Sequence, residues 1–173
     1  MNDYSFESVY RRQLAEILDA EQQMLEEMPR ILRAVTSPEL RTALELHLVE
    51  TKEHVSRLAK ILDEMDEPRP RAYSDPMRAL LAKGRLLMVA EEPSPVRDAA
   101  LIATAREIEY HESAAYSTAR LFAKMLGHDR AAALLGKTLK EEQDTAADLA
   151  QIAETLIMGE ELEDSFLAED AVA

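Results

Sequence analysis

Two glutamates lie where a helix in the second half of this chain should bury apolar side chains. A helix turns by about 100° per residue, so Glu112 falls within one apolar stripe and Glu109 lies beside it. That stripe consists of Ala105, Ile108, Glu112, Ala115, Ala119, Phe122, Ala123 and Leu126. An ionised carboxylate that is buried alone costs several kcal/mol or more, so the pair requires protonation, cationic partners or a metal. Other elements of the fold must bring those compensating groups to this face.

Apolar residues elsewhere recur at helical spacing and predict four long helices, with a shorter helix between the second and the third. The long helices are predicted at about 6–35, 38–65, 95–126 and 129–158, and the short helix at about 76–91. Ser-Pro or Asp-Pro pairs open three of them, at Pro38, Pro76 and Pro95. We expect Gly127 to cap the third long helix, and Pro29 to bend the first without breaking it.

The only long connection joins the second and third long helices, which is the connectivity of a ferritin-like bundle. We therefore expect an all-α protein, a ferritin-like four-helix bundle with one long crossover that carries a short extra helix. The bundle is expected to cover residues 1–158. The acidic tail, residues 159–173, is expected to be flexible or to dock on a partner.

Composition excludes several classes of function. The chain has 173 residues, enough for one domain with a substantial core, and it has no cysteine, which excludes disulfides and thiolate metal sites. A net charge of -14 disfavours nucleic acid as a partner. No apolar run approaches the roughly 18 residues of a membrane span, and no signal peptide is recognisable. We expect a cytoplasmic protein that binds neither nucleic acid nor a membrane.

Glutamates also fall near the middle of the other long helices, at Glu21, Glu50 and Glu142. Ferritin-like dinuclear sites use one Glu from each of two helices and a Glu-x-x-His pair from each of the other two. Such carboxylate-rich sites with some imidazole suit iron or manganese. Any one of these glutamates alone is more often a residue that reaches solvent or pairs with arginine, whereas their joint position with Glu109 and Glu112 favours a metal site.

Two histidines flank the stripe of the second helix. Glu50 and His54 are four residues apart and share a face, and His47 precedes Glu50 at the three-residue spacing in reverse order. Either histidine could be a ligand or a hydrogen-bonded residue at the edge of the core. Tyr116 faces inward on the third long helix and needs a partner for its hydroxyl, for which a metal-binding carboxylate is one candidate.

Several segments together resemble the YciE/YciF family of ferritin-like proteins, and the resemblance extends over nearly the whole chain apart from the tail. The most specific runs are Arg-Asp-Ala-Ala-Leu-Ile-Ala at 97–103 and Glu-x-x-Glu-x-Ala-Ala-Tyr at 109–116. Further matching stretches lie at 18–25, 36–40 and 47–51. The resemblance implies a rubrerythrin-like di-iron centre, a homodimer and a link to stress responses. On matching positions, the implied ligands are Glu21, Glu50, Glu109, Glu112 and Glu142.

One departure from the family concerns the fourth long helix. Relatives tend to carry an acidic residue four positions after the fourth-helix glutamate, where this chain has Ala146. The corresponding ligand is therefore missing, or is replaced by water, Asp144 or His54. We include His54 among the candidate metal ligands for this reason. Relatives also often have His-Tyr where this chain has Tyr110-His111.

The resulting functional hypothesis is a di-iron oxidase or peroxidase, in which two ferrous ions react with O2 or H2O2. Manganese is the alternative metal, because both metals share these ligand preferences. A chain without cysteine has no rubredoxin-type centre, so a peroxidase would need an external electron donor. The alternatives are iron handling or storage, and a non-catalytic structural dimer with a degenerate site.

Overall fold

The structure is a computed structural model that describes residues 5–65 and 68–170, with side chains described as far as residue 159. Its elements are α1 (Phe6–Ala34), α2 (Pro38–Asp63), α3 (Asp75–Ala90), α4 (Pro95–Met125) and α5 (Asp129–Asp170). Serines cap the first four helices, because the side chains of Ser5, Ser37, Ser74 and Ser94 each accept a hydrogen bond from a first-turn amide. The predicted all-α class is confirmed.

The four long helices form a bundle in which α1 packs on α2 and α4, and α5 packs on α2 and α4. The chain crosses from α2 to α4 through residues 64–94, and this crossover carries α3, which packs on α1 and α4. Neighbouring helices run antiparallel, because the start of α1 shares a core cluster with the ends of α2 and α4. This is the predicted ferritin-like arrangement.

Two apolar clusters fill the bundle, one towards each end. The first contains residues 10–18 of α1 and 131–139 of α5, and the second contains residues 20–28 of α1 together with Leu149 of α5. On α2 the two clusters are separated by residues 47–54, and on α4 they are separated by residues 109–112. The candidate polar residues therefore occupy the middle layer, with apolar packing above and below them.

A polar corner fixes the connection between α1 and α2. The buried Asp98 accepts hydrogen bonds from the Thr36 amide and hydroxyl, each at 2.8 Å, and from the Ser37 amide at 2.7 Å. Its neighbour Arg97 donates to the carbonyl oxygens of Ala34 and Glu91. The Arg-Asp pair of the family-like run at 97–103 thus ties the start of α4 to the end of α1.

Local predictions for α1, α3 and α4 agree closely with the structure. Gly127 has φ of 83°, the left-handed conformation expected of a residue that follows a helix end. Pro29 lies inside α1, which continues through it as predicted. The short helix α3 begins one residue earlier than predicted, because Ser74 rather than Asp75 provides the cap.

The predicted end of the last helix at Met158 is wrong. Gly159 does not end α5, which continues as helix to Asp170. Glycine lowers helix propensity by only about 1 kcal/mol, and no proline follows it to stop the helix. The flexibility of the tail stays a prediction. Within the described residues, no helix is both long and apolar enough to span a membrane.

Candidate metal centre

Six carboxylate and imidazole side chains from all four long helices meet in the middle layer of the bundle. Each is at most 2% exposed, and together they are Glu21, His47, His54, Glu109, Glu112 and Glu142. They occupy one layer because the mid-helix positions predicted from helical spacing face the same bundle axis. Carboxylate oxygen and imidazole nitrogen are donor atoms suited to iron or manganese.

One group of donor atoms combines Glu21, His54 and Glu142. The Nδ1 atom of His54 lies 3.2 Å from Oε1 of Glu21 and 3.0 Å from Oε1 of Glu142. The buried hydroxyl of Tyr116 donates a hydrogen bond to Oε1 of Glu21, which is the partner that its inward position required. One ligand atom from each of the three acidic and imidazole side chains lies within 4.8 Å of the other two.

A second group combines His47, Glu109 and the same Glu142, again with ligand atoms within 4.8 Å of one another. The Nε2 atom of His47 lies 3.3 Å from Oε1 of Glu109. On the other side of the ring, Nδ1 lies 3.4 Å from the hydroxyl oxygen of Thr145, which itself donates to the Glu141 carbonyl. Thr145 can therefore accept from Nδ1, which leaves the Nε2 lone pair directed at the carboxylates.

Several donor atoms of these two groups have no hydrogen bond of regular geometry within the described part of the chain. They are both oxygens of Glu142, Oε2 of Glu109 and the inner ring nitrogens of His47 and His54, and the close neighbours of these ring nitrogens are the carboxylates of the layer, at 3.0–3.3 Å. Both oxygens of Glu112 are also unpartnered, although this side chain is 1% exposed. Native proteins rarely bury so many unsatisfied polar atoms together, so the cluster has the donor set of a cation site.

Burial governs the electrostatics of the glutamates. Desolvation raises the pKa of Glu109 and Glu112 well above the usual value, and their charged neighbours add to this effect. Burial and the charge of Glu142 raise the pKa of Glu21 to about 7. Burial therefore favours the protonated forms of these three carboxyl groups, which lowers the negative charge of the layer.

The histidines differ because their surroundings differ. Burial lowers the pKa of His47. Burial also acts to lower the pKa of His54, but hydrogen bonding and charge from Glu142 and Glu21 outweigh it and raise the pKa to about 10. A proton on His54 thus supplies positive charge beside two carboxylates, the role that a metal cation would take.

The structure adds Glu141, which sequence analysis did not identify. Its Oε2 lies 3.1 Å from Nε2 of His54, and Arg57 donates to both of its carboxylate oxygens, at 3.2 Å to Oε1. Burial acts to raise the pKa of Glu141, but hydrogen bonding and charge from Arg57 and His54 together outweigh it and lower the pKa, which favours the ionised form. A carboxylate that binds the outer nitrogen of a histidine fixes the ring and directs the other nitrogen inward. The sequence carried only a weak signal for this, a second glutamate beside Glu142.

Two other predicted residues have different surroundings. Glu50 is half-buried and belongs to neither three-residue group, although burial and the nearby charge of Glu141 raise its pKa. Asp144 and His54 were the two side chains proposed to replace the acidic residue that is absent at Ala146. Asp144 is exposed and pairs with Lys140, whereas His54 belongs to the cluster. Glu50 as a ligand stays a prediction.

A polar surface cleft of about 330 Å³ reaches the cluster between α1, the start of α3 and α4. Its lining includes Glu16, Asp75 and His111, with Glu112 among the residues on the side of the buried layer. Arg12 also lines the cleft and pairs with Glu16 at 3.0 Å, so the lining carries both signs of charge and suits a small polar molecule.

Comparison with known proteins identifies the family to which this chain belongs. Residues 5–162 match the family model described as a domain of unknown function, DUF892. The protein YciF of Escherichia coli K12 is 32% identical over 154 residues, which cover 88% of this chain and 93% of YciF.

Solved structures agree with this match. The crystal structure of the E. coli stress protein YciF has a TM-score of 0.85 and 30% identity, covering 89% of this chain and 98% of that one. YcfI of Rhodopseudomonas palustris, for which a structural role has been suggested, has a TM-score of 0.82 and 26% identity, covering 86% of this chain and 95% of YcfI. The chain belongs to the DUF892 family and is a homologue of the stress protein YciF.

Proposed function

We propose that this protein is a di-iron carboxylate oxidase or peroxidase, with manganese as the alternative metal. The observation that carries the proposal is the shared position of Glu142. It belongs to both groups of donor atoms, one with Glu21 and His54 and the other with His47 and Glu109. A carboxylate with two oxygens that belongs to both groups suits two cations side by side. Two ferrous ions would supply the two electrons that reduce O2 and two protons to H2O2, or H2O2 and two protons to two waters.

The surrounding residues would control charge and position. Glu112, with two free oxygens and no place in either three-atom group, is the carboxylate with the most freedom to change partners as charge changes. Tyr116 restrains Glu21 through its hydroxyl, and Glu141 holds the ring of His54. The apolar clusters on both sides keep bulk water away, which strengthens the electrostatic interactions within the layer.

Stopped-flow absorbance tests the reaction. Metal-free protein is loaded anaerobically with ferrous ion and mixed with O2 or with H2O2, and the rate of ferric absorbance is recorded. We expect fast oxidation by at least one of the two oxidants, and a large loss of rate in Glu142→Ala. The exposed Glu53→Ala is the matched control on α2 and should oxidise at the wild-type rate. Oxidation no faster than that of free ferrous ion would contradict the proposal.

A structural role is the second candidate, and the suggested role of YcfI favours it. A purely structural bundle would have the same stability with and without metal, and Glu142→Ala would leave its assembly unchanged. A storage role would instead show as continued uptake of iron beyond the capacity of one dinuclear site, in a large shell. Sedimentation of the same samples tests the homodimer that we propose from the family resemblance.

A further inference from the structure

A small apolar cavity of about 40 Å³ lies beside the candidate metal centre, between α1, α2, α3 and α4. Its walls include the side chains of Met28, Leu81, Leu101 and Ile108. His47 and Glu109, which form one of the two donor groups, also line it. One of the two donor groups of the centre therefore forms part of the wall of this apolar cavity.

The size and lining of the cavity select its occupant. A single water needs at least about 10–15 Å³ and two to four polar partners, so 40 Å³ is enough for a molecule of a few atoms. In the wall, Thr104 donates to the Ala100 carbonyl and Glu27 pairs with Arg85 at 2.8 Å. Among the described residues, the unpartnered polar atoms of the wall are Oε1 of Glu27 and, on the side of the centre, Nε2 of His47 and Oε2 of Glu109, whose side chains belong to a donor group that a cation would engage. The rest of the wall is apolar, so an apolar molecule loses little by entering it, whereas a polar molecule such as H2O2 loses hydrogen bonds to water.

Gly84 lines the cavity on the α3 side and has no side chain to fill it. A Cβ atom at this position would meet only the Cγ2 atom of Thr104, at 3.9 Å, which is ordinary van der Waals contact. A leucine there could extend over the space that lies between α3 and α4. The α3 side chains that line the cavity are those of Leu80, Leu81 and Met88.

We propose that this cavity binds dioxygen and delivers it to the His47 and Glu109 side of the centre. The proposal rests on the proposed function and narrows it, because it makes O2 the oxidant favoured on this side. Peroxide, being polar, is better suited to the cleft that reaches Glu112. The cavity and the cleft thus approach different glutamates of the same layer.

Xenon, an apolar probe, tests the cavity without any metal. Amide chemical shifts of the metal-free protein are recorded under increasing xenon pressure. We expect saturable shifts confined to residues around the cavity, and their loss in Gly84→Leu, which adds volume from α3. Ala105→Leu adds volume from the opposite wall and provides a second variant. The control Ala79→Leu adds the same side chain at an exposed position of α3 and should retain the shifts. Absence of xenon binding to the wild type would overturn the proposal.

Kinetics on the iron-loaded proteins then tests delivery. We expect either filled variant to lower the ratio of the O2 rate to the H2O2 rate by roughly fourfold or more. A fourfold change corresponds to the free energy of transferring about one methylene group from water to an apolar site. The Ala79→Leu control should keep the wild-type ratio. An unchanged ratio in variants that no longer bind xenon would overturn the proposal. Iron content measured on the same samples separates a failure of the cavity from a failure of the di-iron function. Xenon binding without iron binding refutes the di-iron function and, with it, delivery of O2 to the centre.

Discussion

Replacing Glu112 by leucine should stabilise the metal-free protein. This carboxyl group is 1% exposed, and neither of its oxygens has a hydrogen-bond partner among the described residues. A buried polar group without a partner costs about 1–3 kcal/mol, and the charges of Glu21, Glu142 and Glu109 add to that cost. Glu112→Leu removes this cost and replaces it with apolar contacts.

The free energy of unfolding should therefore rise by about 1–3 kcal/mol in the variant. For a chain of this length that corresponds to an increase in Tm of roughly 2–4 °C for each kcal/mol. The assay is urea and thermal unfolding of chelator-treated protein near pH 7. Glu112→Gln keeps the shape and removes the charge, so it should give a smaller gain. The exposed Glu53→Leu is the control and should change stability by less than about 0.5 kcal/mol.

The dependence on pH provides a further check of the same reasoning. A carboxyl group whose pKa is higher in the folded than in the unfolded state stabilises the fold when the pH is below its unfolded-state pKa. This contribution is lost as the pH rises through its folded-state pKa. For Glu21 that window extends from the usual 4.5 to about 7. Metal-free wild type should thus lose stability over this range, and Glu112→Leu should lose less. Destabilisation by Glu112→Leu, with an intact Glu53→Leu control, would refute the claim that this carboxyl group is unsatisfied.

Three further predictions concern single side chains, two beside the centre and one at the corner between α1 and α2. Tyr116→Phe removes the hydrogen bond to Glu21 and should lower the free energy of unfolding of the metal-free protein by about 0.5–1.5 kcal/mol in urea titrations. Glu141→Gln weakens the restraint on His54 and should reduce metal affinity by about 10–100-fold in competition titrations with a chelating dye, while helix content by circular dichroism stays constant. Asp98→Ala breaks three hydrogen bonds at the corner between α1 and α2 and should cost about 2–4 kcal/mol in thermal unfolding; a loss below about 0.5 kcal/mol would contradict that role.

Much of the fold could be predicted from the sequence because its helices carry strong local signals. Serine caps, prolines in the first turn and Gly127 mark helix boundaries through short-range chemistry that needs no tertiary contact. The end of α5 was missed because a single glycine is a weak stop signal when helix-forming residues follow it. Connectivity then followed from the one long linker.

The candidate site was only partly predictable. Helical spacing placed Glu21, Glu112 and Glu142 on inward faces, because this depends only on periodicity. The role of Glu141 could not be predicted, because it depends on the rotation of α5 relative to α2 and on the reach of Arg57. The same tertiary detail separates His47, which joins the cluster, from Glu50, which lies half-exposed at its edge.

Iron content per chain distinguishes a dinuclear centre from a bundle that binds no metal. The protein is loaded anaerobically with ferrous ion, freed of excess metal by gel filtration and analysed by elemental analysis, with Glu142→Ala and Glu53→Ala in parallel. We predict about two irons per chain in the wild type and in Glu53→Ala, and a large loss in Glu142→Ala. A wild-type protein that retains no iron, or a Glu142→Ala variant that retains the full amount, would contradict it.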